Sequence, residues 1–189
     1  MKILVVVDVQ KDFVNKALGT PEAEAMIPNL QNLLTEMNSS ETLVLLTKDT
    51  HYENYLETPE GKNLPVPHCI KGTDGWKIDK RISSIVDSGL FAKYSSINNV
   101  NSRICKETFG SLELANIIKG VVATYNVEEI IFTGLCTDIC VVSNVLITKA
   151  AVPNVPITVR ADCCAGVTPA THKAALETMK SCQVNIVGE

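Results

Sequence analysis

Short apolar runs that alternate with amphipathic helical patterns constrain the fold of this chain more than any other feature of its sequence. Residues 3–7 form the continuous run Ile-Leu-Val-Val-Val, which is typical of a parallel strand buried on both faces. Similar runs predict further strands at residues 42–47, 129–133, 157–160 and 184–187. A sheet built from such strands has to be covered on both sides by other elements.

Helical patterns occupy the intervals between these runs. Residues 22–37 place their apolar side chains on one stripe, and Pro28 is expected to kink or split that helix. Further helices are predicted at residues 78–86, 112–124, 138–151 and 169–182, whereas the polar segment 98–106 shows no clear pattern. Alternating strands and helices predict an α/β fold, a three-layer α/β/α sandwich with a mostly parallel central sheet, formed by residues 1–189 as a single domain.

Charge and apolar run lengths exclude several classes of function. Of the 189 residues, 17 are Lys or Arg and 21 are Asp or Glu, a net charge of −4, so no basic excess predicts a nucleic-acid or anionic membrane partner. No apolar stretch reaches the roughly 20 residues of a membrane span, and no signal peptide is recognisable. The seven cysteines cannot all pair with one another. Free thiols in a reducing, cytoplasmic compartment are therefore expected.

Chemically active side chains cluster where the predicted strands end. Asp8 follows the first strand, Asp49 and His51 follow the second, and the segments 134–140 and 162–164 follow two later strands. In an open α/β sheet the carboxyl ends of the strands form the ligand-binding edge. No glycine-rich dinucleotide motif, phosphate-binding loop or Gly-x-Ser-x-Gly elbow is present, so nucleotide binding and serine hydrolysis have no support.

Cys140 is the candidate nucleophile. It falls in the first turn of a predicted helix, where the helix dipole and free backbone N–H groups favour a thiolate and can hold an oxyanion. Cys136 lies in the preceding turn and is a weaker candidate. With only three histidines in the chain, Asp8 is the candidate base. The alternatives are that Cys140 is a small buried hydrophobic residue and that Asp8 only caps a turn.

A second group of side chains predicts a metal site. Asp49 and His51 are two residues apart on an extended segment and so face the same side. Glu60 and His68 lie in the proline- and glycine-rich stretch that follows and can fold back to complete the set. Two imidazoles with two carboxylates suit Zn²⁺, Fe²⁺ or Mn²⁺. The alternative is a plain turn that carries a surface histidine.

Three segments taken together resemble a known family. They are Asp8-Val-Gln-Lys-Asp-Phe13, then Lys106, then Gly134-Leu-Cys-Thr-Asp-Ile-Cys140-Val. Their order and spacing are similar to those of the isochorismatase-like cysteine hydrolases, and most of all to the nicotinamidases, also called pyrazinamidases. The resemblance covers nearly the whole chain. It implies a catalytic triad of Asp8, Lys106 and Cys140, and an oxyanion hole formed by the backbone N–H groups of Cys136 and Cys140 beside a cis Leu135–Cys136 peptide bond.

The same resemblance extends to the metal and to the substrate. It implies that Asp49, His51 and His68 bind a divalent metal, zinc first, with iron or manganese as alternatives, and that Glu60 is an additional ligand. Phe13 matches a position that packs against the substrate ring. Residues 64–67 lack the aromatic side chain that many nicotinamidases have there, so Trp76 is the candidate to take its place.

The function implied is a hydrolase that converts nicotinamide to nicotinate and ammonia through a thioester, as in NAD salvage. Its partner is a small amide substrate, and the apolar helical faces also allow a homo-oligomer. A related cysteine amidase acting on another small amide or ureido compound is the near alternative. A non-catalytic, redox-responsive thiol protein is the alternative from a different class, because the chain has seven cysteines.

Overall fold

The computed structural model describes residues 1–39, 41–88 and 102–189, which are built around a six-stranded sheet. All its strand pairs are parallel, in the order β3-β2-β1-β4-β5-β6. The strands are β1 (Lys2–Val7), β2 (Thr42–Asp49), β3 (Arg103–Lys106), β4 (Glu129–Leu135), β5 (Ile157–Ala165) and β6 (Asn185–Val187). The predicted α/β sandwich with a parallel central sheet is therefore confirmed.

Helices cover both faces of the sheet, and each face has its own apolar core. One core includes Val5, Ile118 and Met179, and the other includes Leu4, Leu30 and Ile82. None of the helices that the structure describes is long and apolar enough to cross a membrane. The α-helices are α1 (Lys11–Val14), α2 (Pro21–Ala25), α3 (Ile27–Glu36), α4 (Pro59–Asn63), α5 (Lys80–Ser88), α6 (Leu112–Thr124), α7 (Val142–Ala151) and α8 (Pro169–Ser181).

The register of the central strands brings their carboxyl ends to one edge. Asp49 at the end of β2 pairs with Lys106 at the end of β3, and Val7 at the end of β1 pairs with Gly134 near the end of β4. Asp8 follows Val7 directly. The ends of four adjacent strands therefore meet where the sequence places its chemically active side chains.

Two predicted helices have a different form in the structure. The helix predicted at residues 22–37 is divided at Met26 into α2 and α3, because Pro28 lies in the first turn of α3, where its missing N–H is tolerated. The helix predicted from residue 138 begins as a π-helical turn, Thr137–Val141, and only then continues as α7. Cys140 lies in that turn. π-Helical turns are uncommon and are often found at functional sites.

Strand β5 is longer than predicted, and one expectation about it was wrong. The sequence suggested that residues 162–164 follow this strand, but β5 runs on to Ala165 and contains them. Arg160 and Asp162 interrupt the apolar run yet satisfy each other through two hydrogen bonds of 2.9 and 2.8 Å, so the strand tolerates both. Part of the segment 98–106 forms β3, and its residues 98–101 lie outside the described residues.

Candidate active site

The three residues of the implied triad come together at the carboxyl edge of the sheet. The Lys106 ammonium lies 2.6 Å from Oδ2 of Asp8 and 3.4 Å from Sγ of Cys140. All three side chains are buried, with Asp8 fully enclosed. A cation between a carboxylate and a thiol offsets charge that would otherwise be costly in a buried site. This arrangement keeps a base, a cation and a nucleophile in contact.

Asp8 is held in an unusual backbone conformation by the strand beside it. Its φ is +47°, a region that residues other than glycine seldom occupy. The Thr47 hydroxyl donates a 2.7 Å hydrogen bond to Oδ1 of Asp8, and its oxygen accepts one from the Asp8 N–H at 3.2 Å. Oδ2 is left to face Lys106. Thr47 therefore orients the carboxylate, a role that no motif in the sequence indicated.

Burial sets the protonation states of these groups. It raises the pKa of the Asp8 carboxyl, which the nearby Lys106 ammonium partly opposes. It also raises the pKa of the Cys140 thiol well above its ordinary range, and the Asp8 charge adds to this effect. Burial would lower the pKa of Lys106, but the neighbouring Asp8, Cys140 and Asp49 raise it above its ordinary value. The structure thus favours a protonated thiol beside the carboxylate, rather than the thiolate expected from the helix dipole.

The loop before Cys140 has an unusual backbone conformation. The Leu135–Cys136 peptide bond is cis, as the resemblance implies. Gly134 has a φ of +112°, and a Cβ there would lie 2.1 Å from the Val7 carbonyl oxygen, so only glycine fits beside β1. Burial raises the pKa of the Cys136 thiol to about 12. The Cys136 sulfur is therefore poorly suited to act as a nucleophile.

The Asn144 side chain links the turn of Cys140 to the loop that follows Lys106 by hydrogen bonds. Its Nδ2 donates to the carbonyl oxygens of Cys140 at 2.8 Å and of Phe109 at 3.2 Å. Its Oδ1 accepts a 2.9 Å hydrogen bond from the Ser111 N–H. A single buried amide thus fixes two walls of the site, and no motif or spacing indicated this role.

The four predicted metal ligands form one cluster beside the triad. One potential ligand atom from each of Asp49, His51, Glu60 and His68 lies within 4.8 Å of the others. Oδ2 of Asp49 is 2.8 Å from Nε2 of His51 and 3.5 Å from Nε2 of His68. Oδ1 of the same carboxylate accepts a 3.2 Å hydrogen bond from Lys106. Asp49 therefore belongs to both the triad and the metal cluster.

The donor set fits a divalent cation. Nε2 of His51 is buried and, among the described residues, has no partner with hydrogen-bonding geometry. Nδ1 of His68 lies 2.8 Å from the Val66 carbonyl oxygen. Donation to that oxygen fixes the tautomer in which Nε2 carries the lone pair toward the cluster. Two such imidazoles and two carboxylates match the ligand preferences of zinc, and also of iron and manganese.

The pKa values of the two carboxyl groups in the cluster are shifted in opposite directions. Burial raises the pKa of Asp49, but the two neighbouring imidazoles and the Lys106 charge outweigh it and hold this pKa well below its usual range. Burial raises the pKa of Glu60, which lies farther from the imidazoles, at 3.5 and 3.9 Å. Asp49 is therefore the stronger anionic ligand of the two.

Two buried residues form hydrogen bonds to the backbone at or next to members of the cluster. The Gln10 side chain accepts a 2.7 Å hydrogen bond from the Asp49 N–H and donates to the Asp49 carbonyl oxygen at 2.8 Å. Oδ2 of Asp12 accepts a 2.8 Å hydrogen bond from the Cys69 N–H, directly after His68. Both residues lie within the Asp8–Phe13 motif, but the sequence alone did not indicate what they hold.

A cavity of about 230 Å³ joins the nucleophile to the metal cluster. Cys140, Asp49 and His68 line it on one side. Phe13 lines it as predicted, with its ring 5.4 Å from that of His68 in an edge-to-face arrangement. The remaining walls are largely apolar and include Leu18, Leu64, Phe109, Ile139 and Val167. Phe109 was not predicted, because the polar loop around it shows no periodicity.

The structure does not bring Trp76 to this cavity. Its indole N–H donates a 2.9 Å hydrogen bond to the Thr50 hydroxyl, and its ring packs against the Lys48 ammonium. The position of Trp76 thus departs from the prediction that it takes the place of an aromatic side chain at residues 64–67. Leu64 lines the cavity there instead. All seven cysteines are free, as predicted.

Comparisons with known proteins agree with this architecture. The family model described as the Isochorismatase domain matches residues 2–188. The chain is 28% identical over 204 residues to the nicotinamidase/pyrazinamidase of Mycobacterium tuberculosis, covering 99% of this chain and 98% of that protein.

Solved structures show the same similarity. Nicotinamidase PncA of Bacillus subtilis has a TM-score of 0.78 and 25% identity, covering 98% of each chain. Pyrazinamidase of Pyrococcus horikoshii in complex with zinc has a TM-score of 0.74 and 25% identity, covering 100% of this chain and 99% of that one. With a family model that spans almost the whole sequence, this chain belongs to the isochorismatase family.

Proposed function

We propose that this protein is a metal-dependent cysteine amidohydrolase whose substrate is nicotinamide, converted to nicotinate and ammonia. The observation that supports this most strongly is the continuity of its site. Lys106 contacts Asp8, Cys140 and Asp49, and Asp49 in turn contacts both histidines of the cluster. A nucleophile and a metal site that share one cavity suit a small molecule with a reactive carbonyl and a separate metal-binding atom. Whichever amide is its substrate, the protein is a hydrolase of amide carbon–nitrogen bonds.

The charge of the cavity favours a neutral substrate. Asp49 and Glu60 line it, and Lys106 already contacts two carboxylates. Among the residues that the structure describes, no Lys or Arg lines this cavity. The carboxylate of a charged amide would therefore find no Lys or Arg partner on these walls, and its burial without one has a considerable desolvation cost. An uncharged aromatic amide can pack against the apolar walls without that cost.

Acyl transfer begins with Asp8 and Cys140. Asp8 accepts the thiol proton as Sγ bonds to the amide carbon, and the carbonyl oxygen becomes an oxyanion that the N–H groups of Cys136 and Cys140 stabilise. Collapse of this intermediate re-forms the C=O bond and breaks the C–N bond. Asp8 returns the proton to the departing nitrogen, so ammonia leaves and a thioester remains.

Hydrolysis of the thioester reuses the same groups. Asp8 takes a proton from water as the water oxygen attacks the thioester carbon, and the oxyanion forms again at the same N–H groups. Sγ then leaves and regains its proton from Asp8, releasing the carboxylic acid. Lys106 remains an ammonium ion throughout and offsets the negative charge that passes between Asp8 and Cys140. The raised pKa of Asp8 suits a group that must both accept and return a proton.

Asp49, His51, Glu60 and His68 would hold the metal, which we propose to be zinc, with iron or manganese as alternatives. Bound there, the ion supplies a Lewis acid that orients a ring nitrogen of the substrate. The imidazole of His68 also contacts Phe13, so a ring held at the cluster would lie against an aromatic edge. Such a reaction would serve NAD salvage in the cytoplasm.

The wall at Leu64 favours a second candidate substrate. With an aliphatic side chain there and Trp76 outside the cavity, less aromatic surface is available to stack on a ring than the nicotinamidase resemblance implies. A related amidase acting on another small neutral amide or ureido compound would need less stacking. The triad and the mechanism would be the same.

An ammonia-release assay over a panel of neutral amides tests the proposal. We expect nicotinamide to be hydrolysed by the metal-loaded protein, chelation to reduce the rate, and Cys140→Ala to abolish it. Cys182→Ala, an exposed thiol on another part of the surface, is the matched control and should keep full activity. Activity that survives in Cys140→Ala would overturn the mechanism, and activity only on another amide would transfer the assignment to the second candidate.

A further inference from the structure

A second pocket, separate from the catalytic cavity, has an unusual concentration of positive charge. It has a volume of about 370 Å³ and lies beside the β2–β3 edge of the sheet and the start of α5. The chain as a whole carries a net charge of −4, so this local excess is opposite in sign. The charged side chains that line it are Lys11, Lys48, Lys77, Lys80, Arg103 and Asp74.

Lys48 is the central feature of this cationic pocket. Its side chain belongs to a residue that is only 9% exposed, and its ammonium lies 2.9 Å from the centroid of the Trp76 ring. Among the described residues, no carboxylate forms an ion pair with it. The aromatic face attracts the charge but accepts no conventional N–H···O hydrogen bond. A buried ammonium that lines a pocket in this way is suited to an oxygen-rich anion.

The other cations are only partly neutralised by protein carboxylates. Asp74 is shared by Lys11 at 2.8 Å and Lys77 at 3.4 Å, and also by Lys16 at 2.6 Å. One carboxylate cannot offset three ammonium ions. Arg103 is ion-paired with Asp87, whereas no carboxylate within the described ranges forms an ion pair with Lys80. The pocket therefore keeps a positive excess after its internal ion pairs are taken into account, and this excess attracts anions.

We propose that the cationic pocket binds a diphosphate group, either as inorganic pyrophosphate or as part of a nucleoside diphosphate. A diphosphate carries several negative charges on oxygens spread over a few ångströms, so it can contact Lys48 and Lys80 at the same time. Lys11 and Lys77 then contribute from the side of Asp74. Ammonium–phosphate hydrogen bonds are charge-assisted and are stronger than neutral ones. This site is distinct from the amide-binding cavity and shares no lining residue with it.

Isothermal titration of the metal-loaded protein with pyrophosphate, and in parallel with ADP, tests this proposal. We expect saturable binding that weakens as salt is added, because exposed charges are screened. Lys48→Met keeps the aliphatic chain against Trp76 and should weaken binding about tenfold. Lys80→Ala changes an exposed side chain and should weaken it by a smaller factor. Lys119→Ala removes the same charge from the exposed face of α6 and should leave the affinity unchanged.

Pyrophosphate also chelates metals, so the site of binding has to be separated from the metal cluster. His51→Ala alters the cluster and should retain the affinity for pyrophosphate. Loss of binding in His51→Ala, or equal binding in the Lys48, Lys80 and Lys119 variants, would overturn the proposal. Absence of any saturable binding to the parent protein would overturn it as well. Binding of pyrophosphate without ADP assigns the site to the free anion, and tight binding of both assigns it to the shared diphosphate group.

Discussion

Replacing Gln10 by Met should destabilise the protein and weaken its metal site at the same time. Gln10 is fully buried, and its side chain makes three hydrogen bonds to backbone groups. It accepts from the Asp49 N–H at 2.7 Å and donates to the carbonyl oxygens of Asp49 at 2.8 Å and Trp76 at 2.9 Å. Methionine has a similar length and volume but offers no N–H donor and only a weak sulfur acceptor, so the substitution mainly removes these bonds.

The size of the effect follows from the groups left behind. Each buried backbone group without a partner costs about 1–3 kcal/mol. Three such groups sit close together and relax jointly, so their costs do not add fully, and we expect a loss of about 3–6 kcal/mol. That is a large part of the roughly 5–15 kcal/mol that stabilises a typical domain. Because Gln10 fixes the backbone of Asp49, a proposed metal ligand, metal affinity should also fall about 10- to 100-fold.

Urea unfolding followed by circular dichroism measures the first effect, and competition with a chelator of known affinity measures the second. Gln31→Met is the matched control, because Gln31 is a half-buried residue on α3, away from the site, and its loss should change stability by no more than about 0.5 kcal/mol. A destabilisation of Gln10→Met no larger than that of the control would refute the reasoning. So would an unchanged metal affinity, even with a large loss of stability.

Three further predictions test other parts of the site. Asp8→Asn should abolish hydrolysis yet allow Cys140 to be alkylated at lower pH. Burial and the Asp8 carboxylate both raise the pKa of this thiol, and the substitution removes the carboxylate while the Lys106 ammonium remains. The rate of alkylation measured against pH tests this. Thr137→Val removes a 2.8 Å hydrogen bond between the Thr137 hydroxyl and Nδ1 of His172 on α8. It should lower kcat about fivefold with little change in KM, which steady-state kinetics measures. His51→Ala should lose metal more completely than Glu60→Gln, because Glu60 is the more distant ligand; metal analysis after dialysis compares them.

Each of these has an outcome that contradicts it. A parental alkylation profile in Asp8→Asn would mean that the carboxylate does not control the thiol. A change confined to KM in the Thr137 variant would place its effect on substrate binding rather than on the loop of the N–H groups. Equal metal loss in the two ligand variants would make Glu60 a full ligand.

The positions of the proposed catalytic side chains were predictable because strand ends have a fixed geometry. Once the runs before Asp8 and Asp49 are recognised as parallel strands, their carboxyl ends must meet at one edge. Lys106 came only from the family resemblance, because β3 is short and lies next to a polar segment without periodicity. The register that pairs Asp49 with Lys106 depends on contacts far apart in the chain, which local patterns do not encode.

The walls of the cavity were harder to predict, because they depend on loop paths. Trp76 was predicted to compensate for the missing aromatic side chain at residues 64–67, but its N–H donates to Thr50 and its ring packs against Lys48. Phe109 lies in a loop whose position is set by the Asn144 side chain, 35 residues farther along. The direction of such a side chain follows from tertiary hydrogen bonds and not from sequence spacing.

Asp49 explains why the triad and the metal cluster have to be considered as one unit. Its Oδ1 faces Lys106 and its Oδ2 faces the two imidazoles, so any change on one side alters the charge on the other. An ion at the cluster would draw electron density from the carboxylate and weaken its hold on Lys106, which then pairs more fully with Asp8. Occupancy of the cluster would thus favour the ionised form of Asp8, the form that accepts the thiol proton. The metal would then contribute to the position of the substrate directly and to the protonation of the triad through Lys106.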